Sequence, residues 1–237
     1  METSPDPAPG PDGDDQEAIT AAAATAAVET LRTRHYSTGK LTAEQARTVN
    51  KWRRELHKRR PRTYFTVDGR PPASTSDCIA AAVIALIEGE HAPEPLAVAR
   101  YAVRLRSLQR DTRRLSFPGA QHVSIYLPAP AADRAEVLLA EARAAHLALV
   151  ADAGEEAARR YPRRYQGEER TKFVVDRLAA EELAITVPKR IPVGTLARMA
   201  IEAWSKLPAA AVVGAAVRHS ARHHVQHHRA RTDMGME

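Results

Sequence analysis

The chain of 237 residues has a single cysteine, Cys78. No intrachain disulfide can form, which excludes a disulfide-stapled scaffold and fits a reducing compartment. Its neighbours Ile79–Ile87 are apolar, so Cys78 is expected to be a buried structural residue. Phenylalanine is scarce, with three in the chain, while Ala and Arg are abundant. Part of that bias is what a G- and C-rich genome produces. No stretch approaches the ~18 apolar residues that a bilayer span needs. The longest, Cys78–Ile87, has the length of a core helix. The first residues are acidic and Pro-rich, the opposite of a secretory signal. The expectation is a cytoplasmic protein with no membrane partner.

Catalytic signatures are also missing. There is no phosphate-loop pattern, no dinucleotide glycine fingerprint and no nucleophile elbow. Glu155-Glu156, Glu168-Glu169 and Glu181-Glu182 are adjacent acids on expected helices. Consecutive helical side chains point different ways, so none of these makes an acid–base pair alone. His219, His223 and His227 recur every four residues, which stacks them on one helix face. A zinc site wants further ligands, and only Asp233 is a nearby acid. The reading is therefore no enzyme, no metal and no cofactor.

Lysine and arginine are absent from residues 1–30, which hold seven acids. With that arm set aside, the formal charge of +6 for the whole chain becomes +13 for residues 31–237. A body this basic attracts phosphate chains through its summed field. Residues 1–18 alternate Pro, Gly and Asp with little to bury, so 1–30 is expected to be a disordered acidic arm. Residues 19–34 are Ala-rich and compatible with a thin helix.

Two further regions follow. Residues 41–116 are expected to be a basic helical region with one short strand. Thr42 and Gln45 have capping-box spacing for a helix from Ala43 to about Arg60. Arg53, Arg54, Lys58, Arg59 and Arg60 crowd its end, and Pro61 stops it. Thr63–Val67 is β-branched and aromatic, the expected strand. Ser74, Thr75 and Ser76 offer caps for a helix to about Glu88, and another spans roughly Pro95–Leu115.

Residues 120–228 are expected to be strand plus helices, with 229–237 a frayed tail. Gln121–Leu127 alternates, with Val123, Ile125 and Leu127 to one side and His122, Ser124 and Tyr126 to the other. Period two marks a strand with one buried face. Pro128 and Pro130 end it and suit the first turn of a helix running to Arg160. Further helices are expected at Thr171–Leu183, after Gly194, and after Pro208.

The stretch His122–Pro130 resembles the strand and helix entry of ribbon-helix-helix DNA-binding proteins, the MetJ/Arc class. The resemblance implies an antiparallel ribbon made by two chains and laid in the DNA major groove. His122, Ser124 and Tyr126 would then face base edges, and all three carry donors or acceptors. Ile191–Trp204 resembles the second helix of that family with its preceding turn. There the helix start grips a phosphate, which matches Gly194, Thr195 and Arg198 here. The family joins its two helices by a short turn, whereas about sixty residues separate Pro130 from Gly194.

The fold expected is mainly α with a few short β-strands (α+β), with a ribbon-helix-helix-like core carrying helical insertions. The other reading of 121–127 is an ordinary amphipathic strand in an α+β domain. One strand alone leaves an unpaired edge, so a homodimer is expected. The function expected is sequence-selective binding of double-stranded DNA, as in a transcriptional repressor or a plasmid maintenance or partition factor. Nucleic-acid contacts fall to His122, Ser124, Tyr126, Gly194, Thr195, Arg198, Arg53, Arg54, Lys58, Arg59 and Arg60. The alternative is a helical interaction scaffold whose acidic arm masks the basic body.

Overall fold

The computed structural model describes residues 33–59, 73–90, 92–112, 122–161 and 167–220. The expected strand Thr63–Val67, the acidic arm 1–30 and the tail 229–237 lie outside them. In chain order the elements are β1 (Thr33–Ser37), α1 (Ala43–Arg59), α2 (Thr75–Glu88), α3 (Pro95–Thr112), β2 (Ser124–Pro128), α4 (Ala129–Arg160), α5 (Glu168–Ala180) and α6 (Gly194–Trp204). A last helix, α7, covers 209–220. The described residues are thus mainly helical, with one small antiparallel sheet of β1 and β2.

Local chemistry sets several helix starts. At α1, the Thr42 hydroxyl accepts from the Gln45 amide at 3.2 Å, and the Gln45 side chain accepts from the Thr42 amide at 3.0 Å. Two end amides that lack helical partners are thereby satisfied. Ser74 and Asp77 make the same reciprocal pair at α2. α4 has no side-chain cap and opens instead on proline, whose fixed φ suits a first turn and whose missing N–H costs nothing there. It continues through Gly154 as one helix of 32 residues. α5 begins at Glu168, a turn earlier than its apolar pattern suggests.

α2 is the central post. Cys78 through Val83 are all buried, because α1, α4, α6 and β2 all pack against it. Side chains from both expected regions share this core, including Trp52, Ile79, Val98, Ile125, Leu127, Leu196 and Ile201. Burying each large aliphatic contributes about 1.5–3 kcal/mol. The far half of α4 pairs with α5, through buried Ala153, Ala157, Val174 and Leu178. From there the chain returns along α4, where Arg143 donates to the Pro188 carbonyl at 3.0 Å and His146 Nε2 meets the Ala184 carbonyl at 2.7 Å.

A polar network crosses this core, while Trp52 Nε1 and His146 Nδ1 are buried without a hydrogen-bond partner among the described residues. The Gln45 side-chain amide donates to Tyr101 Oη at 3.2 Å and to Glu202 at 2.9 Å, and Tyr101 donates to Glu202 at 2.8 Å. Arg104 closes the set by donating to the second Glu202 oxygen at 2.5 Å. Burial, and then Glu202, push the Tyr101 phenol far above its ordinary range. This network ties α1, α3 and α6 at one level of the bundle.

Cys78 is fully buried, as its apolar neighbours suggest. Burial pushes its thiol up to about 12, well above the ~8.5 of a free cysteine. The folded chain therefore keeps this proton where the unfolded chain loses it. The associated stability is intact below pH ~8.5 and is lost as pH rises toward the folded value. At pH 8 a thiol reagent should label Cys78 only at the rate of unfolding, and denaturant should make labelling immediate. Prompt labelling of the native protein would contradict this burial.

Candidate nucleic-acid interface

The strand expected to seek a second copy of itself has a partner in its own chain. β1 pairs with β2 antiparallel, with Thr33 opposite Pro128, His35 opposite Tyr126 and Ser37 opposite Ser124. Thr38 and Val123 extend the ladder. The Thr38 amide donates to the Val123 carbonyl at 3.0 Å, and the Val123 amide donates to the Thr38 hydroxyl at 3.0 Å. A homodimer was expected because 122–127 alone leaves an unpaired edge, and β1 pairs one edge of that strand within the chain. Thr33 and Arg34 correspondingly belong to a strand, not to the end of an Ala-rich helix.

Opposed residues of an antiparallel pair share a face. The inner face of β2 is Ile125 and Leu127, both fully buried against the helices. The inner face of β1 is Arg34 and Tyr36, which are bound to the start of α4. Arg34 pairs with Asp133 at 2.7 Å and Glu136 at 3.4 Å. Tyr36 donates to Glu136 at 2.8 Å. Burial, and next that bond, raise the Tyr36 phenol above its ordinary value. Arg190 also approaches Glu136, at 3.9 Å, so both acids beneath the ribbon face cations.

The outer face is polar apart from Pro128 at one end. His122, Ser124 and Tyr126 are exposed, as the alternation requires, and Thr33, His35 and Ser37 of β1 stand beside them. Tyr126 is 51% exposed despite its size. Its ring leans on His35 with centroids 5.1 Å apart and planes tilted by 41°. The three β1 residues escape a sequence reading because Thr33–Ser37 contains no aliphatic side chain. Without an apolar row, period two gives no signal.

Gly194, Thr195 and Arg198 occupy a different place from the one expected. All three are buried. A Cβ on Gly194 would lie 2.4 Å from the Ser37 carbonyl oxygen. Arg198, 3% exposed, donates through Nε to the Thr38 carbonyl at 2.8 Å. Burial pushes its guanidinium down from the ordinary value. Gly194 and Arg198 seat the exit of β1 on α6, and all three residues are buried where a phosphate grip needs solvent. Gly39, which turns the chain away from the ribbon, has φ +66° and lies against the same guanidinium. Glycine adopts that conformation without a Cβ penalty.

The basic run of α1 sits on the surface. Arg53, Arg54 and Lys58 are exposed. Arg47, Asn50, Arg53, Arg54 and His57 line an open depression of about 420 Å³. Asn50, Arg54 and His57 follow Arg47 at helical spacing, so they form one stripe. Lys58 also meets Glu55 at 3.6 Å. Arg59 ends α1, its side chain outside the described set, and Arg60 lies outside the described residues. His219 lies in the last turn of α7, while His223 and His227 also fall outside. Among the described residues no group of three His, Cys, Asp or Glu is placed to hold a metal. Among them, too, no helix is long and apolar enough to cross a membrane. Comparison of the chain with protein-family models, curated proteins and solved structures finds no match to any of them.

Proposed function

We propose that this chain is a sequence-selective double-stranded DNA-binding protein that lays the outer face of its β-ribbon in the major groove. One observation carries the reading. A two-stranded ribbon has its inner face anchored in a helical core and an outer face of hydroxyl, imidazole and phenol groups, with Pro128 at one end. The major groove admits such a ribbon and displays donors and acceptors that differ for each base pair. The basic body, +13 over residues 31–237, supplies the attraction that does not depend on sequence. Arg53, Arg54 and Lys58 of α1 serve phosphates in this reading. Transcriptional repression or plasmid maintenance are the roles such binding would serve.

Fluorescence anisotropy with duplexes in rising salt tests it. Affinity should fall with a log–log slope of about −0.9 for each phosphate neutralised. Arg53→Ala with Arg54→Ala should weaken all duplexes alike and flatten that slope by about 2. Tyr126→Ala should instead erode discrimination between duplexes. Salt-insensitive or absent binding would remove the proposal. It would leave a helical scaffold for an acidic protein as the reading to pursue.

A further inference from the structure

We infer that the ribbon is an asymmetric reading head carried by one chain, so that a single copy recognises a short, non-palindromic stretch of duplex DNA, with Thr33, His35 and Ser37 of β1 as specificity residues. The inference rests on the DNA-binding reading and adds to it which residues read, how many chains bind and what symmetry the site has.

A ribbon built from two copies of one strand has a two-fold axis, and its site must repeat that symmetry as an inverted repeat. This ribbon has no such axis in its chemistry. At its centre an imidazole, His35, faces a phenol, Tyr126. Two hydroxyls, Ser37 and Ser124, face each other at one end, with His122 just beyond. At the other end Thr33 faces Pro128, whose side chain has no donor or acceptor. Polar readout is therefore concentrated at the Ser37–Ser124 end and the centre. Outward positions Thr33 to Ser37 span about 14 Å at 3.4 Å per residue, or about four base steps.

β1 is also poorly placed to be exchanged for a strand from another copy. Its inner residues are bonded to Asp133 and Glu136. Its exit is clamped by two Thr38–Val123 bonds and by Arg198. Gly194 leaves just enough room for the Ser37 and Thr38 carbonyls. A second copy would have to break these contacts before its own strand could pair with β2.

The test is selection of duplexes from a randomised pool by the full chain, followed by native mass spectrometry on the selected duplex. One chain per duplex and a consensus without an inverted repeat are expected. His35→Ala and Tyr126→Ala should each lower discrimination at a different base position by about tenfold. His35→Gln, which keeps hydrogen-bonding groups, should move the preference at its position and covers the case in which the Ala variant melts early. Two chains on an inverted repeat, or a consensus untouched by both His35 variants, would overturn the inference while DNA binding itself stands. Failure to retain any duplex would overturn the DNA-binding reading and this inference with it.

Discussion

Arg198→Ala is expected to cost about 3 kcal/mol of folding stability. The guanidinium is almost wholly buried and donates to the Thr38 carbonyl. A hydrogen bond to a charged group contributes about 1.5–3 kcal/mol, and an acceptor left buried without its donor costs a further ~1–3 kcal/mol. Against this stands the desolvation of the guanidinium, relieved when it is removed, which keeps the total below the simple sum. Gly194→Ala acts at the same joint from the other side. The new Cβ would meet backbone oxygen at 2.4 Å, and backbone cannot swing aside as a side chain can. Overpacking of this kind costs about 1–3 kcal/mol. Both changes loosen the same seat, so the double variant should lose less than the two singles added together. Urea denaturation of the four proteins measures each term. A loss below about 0.5 kcal/mol for Arg198→Ala, the range of ordinary surface changes, would sink the role given to this residue.

The second large effect separates the two faces of the ribbon. Ile125→Asp should abolish the native fold near neutral pH. Ile125 has no exposed surface, so an ionised carboxylate placed there is taken out of water among apolar side chains. Burial of such a charge costs several kcal/mol even after relaxation, against a total stability of about 5–15 kcal/mol for a domain. Its neighbour Tyr126 faces out and touches His35. Tyr126→Ala should lose the ring contact alone, about 1 kcal/mol, and should melt within about 4 °C of the parent. Circular dichroism and thermal melts of the pair decide the matter. A Tyr126→Ala variant as damaged as Ile125→Asp would mean that the outer face is structural, and would leave nothing for DNA to touch.

What was legible in the chain without a structure was whatever rests on neighbours within one turn or one strand. The Thr42–Gln45 capping box is complete within four residues, and it forms. The alternation of Val123, Ile125 and Leu127 predicts a buried face, and the core provides it. Pro128 and Pro130 predict the start of α4 because ring closure sets their φ. Cys78 follows its apolar neighbours inward. Each is a local consequence of backbone geometry or of period.

The rest was decided by partners far away in sequence. Thr33–Ser37 becomes a strand because Arg34 and Tyr36 find Asp133 and Glu136 about a hundred residues later. Nothing local marks it, since a strand whose inner face is an arginine and a tyrosine shows no apolar rhythm. The same contacts answer the question of what pairs with 122–127. A hydrogen-bonding edge needs a partner but does not specify one, and β1 satisfies one edge of β2 within the chain. Gly194 and Arg198 have the spacing of a helix start that grips an anion, yet the tertiary fold fills that space with the Ser37 and Thr38 carbonyls. A helix N-terminus attracts any electronegative group. Here the fold packs the exit of β1 against Gly194 and Arg198, and the Arg198 side chain is spent on the Thr38 carbonyl.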